Sequence, residues 1–382
     1  MGQELKKIKI VVASILKPAN DVRMCSKLGK SLVDSGNFEL HSIGAHIHAN
    51  ASHAITLYFL PACKRISWKR VLQPLRVFKL LWRIKPQLVI VATHELLWVG
   101  VLMKILTRCK LVYDVQENYY RNILFTNAFP KLLRYVLALY VRGKEIIVTP
   151  WVDHFVLAER CYQQELSFVK PKYITIENKV EAPVHKIYRH HNTDGNIKLL
   201  FTGTLAESTG VFYAINLAKK LHACNNAVRL KLVGYCSQPN TCDAINESIK
   251  ECSFISLTGG YGLVSHEIIL DAIEQADFGI IAYPANPSTA NKIPTKLYEY
   301  IGYALPILLI SHAPWVRMCE PYPACIAVDF NNPDVSSILE HMQNKNFYAV
   351  APAHVYWHEE CVPFINLIHK LLNQDLKLKM NN

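Results

Sequence analysis

The 382-residue chain lacks the roughly 18 consecutive apolar residues of a membrane span. Its nearest approach, Leu96 to Leu106, is short and carries Lys104. Its 11 cysteines include no Cys-x-x-Cys pair. Their odd number and scattered spacing exclude a disulfide frame or a zinc site, and reduced thiols in a cytosolic protein are expected. No Gly-x-Ser-x-Gly elbow occurs, which argues against a serine hydrolase. No Walker loop occurs and no Gly-x-Gly-x-x-Gly follows a strand, which argues against a P-loop enzyme or a dehydrogenase. No Asp-x-Asp is present to hold a divalent ion against phosphates, so no metal site is expected. The polar, basic start from Met1 to Lys7 does not read as a signal peptide, and Lys6 breaks the myristoylation pattern.

Acidic residues are also unevenly missing. None occurs between Glu39 and Glu95, a stretch that holds eight Lys and Arg. Residues 1–190 carry 29 Lys and Arg against 13 Asp and Glu, a net +16, whereas the remainder carries 13 against 17, a net −4. Such asymmetry points to an anionic partner for the first half, either a membrane or a nucleic acid. No nucleic-acid module pattern is present, so nucleic acid is not expected. What the chain has in quantity is apolar residues, 51% against 19% charged. That fills a sizeable core, and the length suits two domains of roughly 150 residues or more.

Continuous β-branched runs mark buried parallel strands. They are Ile8–Ala13, Leu88–Ala92, Leu111–Val115, Ile146–Val148 and Tyr173–Ile176. Helical spacing runs through residues 21–35 and Leu96–Leu106, and a helix is expected over about 152–166. A polar cluster from Arg189 to Asn196 reads as a linker. The pattern then restarts, with strands at Lys198–Thr202, Leu230–Val233, Ile255–Leu257, Phe278–Ala282 and Ile307–Leu309. Helices are expected near 210–223, 240–251, 265–276 and 295–303, and an amphipathic closing helix over Tyr356–Leu372. Alternating strands and helices predict an α/β protein of two doubly wound parallel-sheet domains, 1–190 and 195–350, with 351–382 closing the chain. Ligands of such sheets bind outside the strands' carboxyl ends, so two facing domains are expected to form a central cleft.

The densest chemical signal is Ala290-Asn291-Lys292-Ile293-Pro294-Thr295-Lys296-Leu297-Tyr298-Glu299-Tyr300. It follows an apolar strand through a proline-containing loop. Pro294 suits a first helical position, which places free N–H groups at a strand's carboxyl end as an anion site. Lys292 and Lys296 flank it; a lysine ~4 Å from a phosphate contributes roughly 4 kcal/mol at an effective dielectric of 20. Glu299, one turn after Lys296, can accept two hydroxyl hydrogen bonds, as from a ribose. The alternative for these side chains is a capped helix with a surface Lys–Glu pair.

This segment resembles the donor motif of glycosyltransferase family 4, the retaining nucleotide-sugar transferases of GT-B type. Pro294, Lys296, Leu297, Glu299, Tyr300, Pro306 and Ile307 fall in place, with Ala304 where a glycine is usual. Leu200-Phe201-Thr202-Gly203-Thr204-Leu205 with Gly210 resembles the glycine-rich loop opening the second domain, and Leu232-Val233-Gly234 its next strand end. Ala92-Thr93-His94-Glu95, Tyr113-Asp114-Val115-Gln116-Glu117 and Asn178 resemble first-domain segments. The resemblance spans roughly residues 8–372. It implies two Rossmann-like domains, a retaining transfer from a nucleotide-diphosphate sugar, and no metal or other cofactor. Gly203, Thr204, Gly234, Lys292, Pro294, Thr295, Lys296 and Glu299 would hold the donor. Lys296, Glu299, Gln116 and Asn291 would serve the reaction. Asn291 stands where the family often has a first glutamate, Gln116 where it has a histidine, and Thr204 and Thr209 where an Arg and a Lys commonly meet the diphosphate. A non-catalytic scaffold that binds a nucleotide sugar or a partner transferase is the alternative.

In the first half, Asn20, Asp21 and Arg23 follow the first strand as acceptor contacts or helix caps. His94 ends a strand, either lining the cleft or structural. Lys64, Arg65, Lys69, Arg70, Arg76, Lys79, Arg83 and Lys85 are interleaved with Trp68, Leu75, Phe78, Leu81 and Trp82. That pattern fits a helix in an anionic membrane interface, or one packed on the core with a solvated basic face. A glycan or lipid-linked acceptor and a cytoplasmic location, peripheral at the membrane's inner face, follow as expectations. His41, His46, His48 and His53 read as a polar strand face without a carboxylate nearby.

Overall fold

Short extended apolar runs rich in Val and Ile pair side by side, and the neighbouring strand satisfies their buried amides. The structure, a computed structural model, describes residues 7–46, 54–61, 68–125, 129–183 and 195–372. His48, His53, Lys64, Arg65, the side chain of Trp68 and residues 189–194 of the expected linker lie outside them. Two compact units result: one of residues up to Asn178 together with Trp357 onward, the other Lys179–Tyr356.

The first unit holds seven strands: β1 (Ile8–Pro18), β2 (Phe38–Ala45), β3 (Ile55–Leu60), β4 (Leu88–Val91), β5 (Lys110–Val115), β6 (His154–Leu157) and β7 (Tyr173–Thr175). All pair in parallel in the order β3-β2-β1-β4-β5-β6-β7. Alternation along β1 sends Val11, Ala13 and Ile15 into one core layer and Ile10 and Val12 into the other. The second layer is covered by residues 22–34 and by the closing helix His358–Leu371. There Trp357 Nε1 donates to Ser31 Oγ at 2.9 Å.

The second unit holds β8 (Ile197–Thr204), β9 (Val228–Tyr235), β10 (Ile255–Gly260), β11 (Phe278–Ile281), β12 (Ile307–Ile310) and β13 (Cys325–Val328). They form a parallel sheet in the order β10-β9-β8-β11-β12-β13. Leu199 and Phe201 of β8 enter one layer and Leu200 the other. Both sheets are therefore doubly wound, and each reverses its strand order once: between β1 and β4, and between β8 and β11. Ligands of open α/β sheets bind at such reversals, beyond the carboxyl ends.

Two expected elements exchange places. Ile146–Val148 is not a strand but the end of the helix Lys131–Val148. Its buried residues Ala138, Val141, Glu145 and Val148 recur at helical spacing, and that period overrides the β-branched run. The segment expected as a helix over 152–166 is helical only at Tyr162–Glu165 and otherwise supplies β6, whose four residues His-Phe-Val-Leu are too few to show a period. β3 and β13 were not expected as strands; β2 carries His41, read as part of a polar strand face, but buries it together with Ser42. His41 does have a carboxylate beside it, because Glu39 lies two residues back on the same face, 3.1 Å from His41 Nε2.

Candidate functional site

At the reversal in the second unit, β8 ends in Thr202-Gly203-Thr204. Gly203 pairs with Gly234 of β9, and Gly234 with Gly259 of β10. The backbones converge too closely here for side chains. A Cβ on Gly234 would lie 1.7 Å from the Gly203 carbonyl oxygen. Gly203 itself has φ +90°, and a Cβ there would sit 3.9 Å from Lys296 Cε. The lysine stem thus lies over the bare turn.

β11 leads through the loop of Asn286–Lys292 into the helix Thr295–Gly302. Pro294 sits at the cap position, one residue earlier than its favoured first helical place, with Thr295 opening the helix. Lys292 is half-buried, and its carbonyl accepts from Trp315 Nε1 at 2.7 Å. Asn291 and Thr295 are exposed. Lys296, placed on the first turn, turns inward and is 7% exposed. Its ammonium donates to the Thr202 carbonyl at 2.7 Å and lies 4.1 Å from the Phe201 ring centroid and 5.0 Å from that of Tyr283. Burial pushes its pKa down to about 7, against the opposing pull of Glu299.

Glu299 is also buried, and His266 Nε2 lies 3.0 Å from its Oε1. Next to it, the Tyr300 hydroxyl hydrogen-bonds Thr202 Oγ1 at 3.0 Å and locks the helix to β8. Thr209 closes the turn after β8: its hydroxyl donates to the Thr204 carbonyl at 2.8 Å and accepts from the Ala206 N–H at 3.1 Å. A threonine there is a turn-former where the resemblance places a cation. The structure therefore gathers Gly203, Thr204, Gly234, Lys296 and Glu299 at one sheet edge, with Lys292, Pro294 and Thr295 in the adjoining loop and helix start. Phe201 of the glycine-rich segment joins them, as do His266 and Tyr283, which no motif in the sequence includes. His266 stands 33 residues before its partner, and no local pattern announces it.

At the reversal in the first unit lie the residues after β1 and β4. The Asp21 side chain accepts from the amides of Arg23 and Met24 at 3.0 and 3.1 Å, capping the helical segment. Arg23 is buried, and its Nη2 lies 2.7 Å from Asp114 Oδ1. Its Nη1 donates to the Ile176 carbonyl and to Asn178 Oδ1, each at 2.9 Å. Gln116 Nε2 donates to Asp114 Oδ2 at 2.8 Å. Arg23, Asp114, Gln116 and Asn178, drawn from three distant segments, thus form one network, and Asn20, three residues before Arg23, is half-buried.

His94 is 9% exposed, with its ring edge-on to Tyr119 at 4.6 Å between centroids. Its Nδ1 lies 2.7 Å from Lys144 Nζ; accepting that bond puts the ring hydrogen on Nε2. Burial pushes the His94 pKa down to about 4 and that of Lys144 down to about 8. Glu145, hydrogen-bonded to the Tyr113 hydroxyl at 3.0 Å, is pushed up to about 7 by burial. Arg70 pairs with Glu95 over the same cluster. Among the described residues, no group of three His, Cys, Asp or Glu side chains is placed to hold a metal ion.

These two doubly wound sheets and their paired reversals define the GT-B fold. The chain is similar in structure to a sucrose-phosphate synthase from Thermosynechococcus elongatus, with TM-score 0.70 and 13% identity over 96% of this chain and all of that one. It is similar also to the catalytic domain of starch synthase IV from Arabidopsis thaliana bound to ADP and acarbose, with TM-score 0.65 and 10% identity over 97% of this chain and all of that one. Anabaena HepE in complex with UDP and glucose gives TM-score 0.63 and 12% identity over 96% of this chain and 99% of that one. No family model matches the sequence, and no curated protein matches it.

Proposed function

We propose that the chain is a retaining, metal-independent hexosyltransferase that moves a sugar from a nucleotide diphosphate to a glycan or lipid-linked acceptor. The observation that carries this reading is Lys296, a buried ammonium lying over the Gly203 turn at a strand-order reversal. In the reaction the bond between the anomeric carbon and the diphosphate breaks, and negative charge grows on the leaving phosphate. Lys296, released from the Thr202 carbonyl, meets that charge together with Lys292 and the first amides of the Thr295–Gly302 helix, an electrostatic stabilisation of the departing group. Glu299, oriented by His266, accepts hydroxyl hydrogen bonds from the donor's ribose. The Gly203–Gly234 edge leaves backbone amides bare against the diphosphate. The second unit would hold the donor and the first the acceptor, with Asn20, Arg23 and His94 nearest that role. Similarity in fold to proteins solved with UDP, UDP-glucose and ADP supports a nucleotide-sugar donor.

One observation favours the second reading, a scaffold that binds nucleotide sugar without turnover. Gln116 is tied to Asp114 and has no proton to relay. Release of nucleoside diphosphate from UDP-, GDP- and ADP-sugars, with and without glycan acceptors, separates the two. The transferase reading expects turnover that Glu299→Ala abolishes while the melting temperature holds. Donor binding without turnover across the panel leaves the scaffold.

A further inference from the structure

Three helices form a layer on one side of the first unit's sheet: Gln73–Ile84 and Leu97–Thr107 lie on the strands, and Lys131–Val148 lies beside them. They pack side by side, the middle one touching both others. The first two bury one stripe against the sheet, and Lys131–Val148 buries its stripe against neighbouring helices, reaching the sheet at Val148 and through the Glu145–Tyr113 hydrogen bond. Each also carries an apolar stripe facing away from the sheet. On Lys131–Val148, Leu132, Val136 and Leu139 are 81%, 58% and 63% exposed. With Tyr135, Tyr140 and Ile147 they occupy the arc opposite the buried Ala138, Val141 and Val148. On the middle helix Trp98, Leu102, Ile105 and Leu106 are exposed, and on the first Leu75 and Trp82. A helix that is apolar on both sides normally lies inside something, and exposed apolar patches of this breadth mark an interaction surface.

The charge on these helices identifies what covers the face. They hold eight Lys and Arg and one acidic residue, Glu145, which is buried. Arg76, Lys79, Arg83 and Lys131 stand exposed among the apolar side chains. A second copy of this face would set like charge against like, so self-association is disfavoured. Among the described residues no helix is long and apolar enough to cross a membrane. Apolar side chains with tryptophans, ringed by lysine and arginine, lying flat on one layer: that combination matches the headgroup boundary of an anionic bilayer.

We propose that this three-helix face is a monotopic docking surface that sinks into an anionic lipid bilayer, seating the first unit on the membrane. The apolar row Leu132, Val136 and Leu139 enters the acyl boundary while Arg76, Lys79 and Arg83 meet lipid phosphates. The sequence reading, a basic helix in the interface with Lys131, Leu132, Leu133, Arg134 and Tyr135 adding to it, thereby changes in balance. Leu81 is buried and Phe78 half-buried against the core, so the Gln73–Ile84 helix supplies mainly charge and its two neighbours supply the apolar contact.

The test uses the full chain and no sugar substrate, so it stands apart from the transfer reaction. Cosedimentation is measured with vesicles of phosphatidylcholine containing phosphatidylglycerol, and with phosphatidylcholine alone, at low and high salt. Binding to the anionic vesicles that weakens in salt is expected. K79Q with R83Q should weaken it about 25-fold, at about fivefold per charge. L132S with V136S and L139S should weaken it at least tenfold. All five side chains are exposed, so an unchanged melting temperature is expected of both variants. On the unmodified protein, lipids brominated near the headgroup should quench Trp82 and Trp98. No binding to anionic vesicles at low salt, binding indifferent to both variants, or a dimer in solution that the Leu132 variant dissolves would each overturn the proposal.

Discussion

If Lys296 is the cation that a diphosphate recharges, donor affinity carries a pH signature. In the free protein its pKa is lowered to about 7, so half of the molecules hold a neutral amine at that pH. A phosphate ~4 Å away contributes roughly 4 kcal/mol at an effective dielectric of 20. At about 1.4 kcal/mol per pKa unit that raises the bound-state value by about three units, to about 10. Binding then takes up about half a proton at pH 7 and about one at pH 8, and affinity falls about 50-fold from pH 7 to pH 9. A nucleotide sugar is the right probe, because both its phosphates are esterified and neither titrates near neutrality. Titration calorimetry in two buffers of different ionisation enthalpy reads the proton count directly. Lys296→Met should weaken binding at pH 7 and remove the slope. Equal affinity at pH 7 and pH 9 with no proton uptake, or a Met variant that keeps the slope, would refute the reasoning.

Other consequences are cheaper to test. Ala304 holds φ +48° where only glycine is at ease; Ala304→Gly relieves about 1–2 kcal/mol of left-handed strain against about 0.5–1 kcal/mol of lost chain stiffness. A net gain of about 0.5–1 kcal/mol in urea unfolding is expected, and a loss would show the turn is unstrained. Gly234→Ala drives a methyl into the Gly203 carbonyl and should cost at least about 2 kcal/mol together with donor binding; a variant as stable as the parent would contradict the packing of that edge. His94 and Glu145 pull stability in opposite directions with pH. The unfolded chain binds more protons at His94 between about pH 4 and 6.5, so that side chain adds stability as pH rises. The folded chain binds more at Glu145 between about pH 4.5 and 7, so that one removes it. Each amounts to about 3 kcal/mol. Relative to the parent, Glu145→Gln should therefore gain stability as pH climbs through this window, and His94→Asn should lose it. Differences that stay flat with pH would refute the assignment to these two groups.

The sequence was informative wherever a local pattern decides structure. Four of the strands flanking the reversals, β1, β4, β8 and β11, are continuous apolar runs, and each was placed from its residues alone. The Pro294–Glu299 segment was legible as a helix start because proline and the following apolar period act over a few residues. Ile146–Val148 misled because three β-branched residues look alike at a helix end and in a strand; only the buried spacing back to Ala138 separates the two. Contacts that join distant segments left no trace. Arg23 reaches Asp114 across 91 positions, so a candidate acceptor contact is also the centre of a buried network. His266 reaches Glu299 from another strand end, and nothing near either residue foretells it. Lys296 was foreseen as a cation but not as a buried one, because burial depends on Phe201, Tyr283 and the bare Gly203 edge together.

The central claim is that a sugar donor's diphosphate binds at the β8–β11 reversal. A crystal structure with a nucleotide sugar bound tests it most directly. Phosphate oxygens within hydrogen-bond distance of Lys296 Nζ and the Gly203–Thr204 amides, with the ribose on Glu299, are what the account predicts. A nucleotide seated away from that edge, or Lys296 still closed onto the Thr202 carbonyl beneath a bound donor, would contradict it.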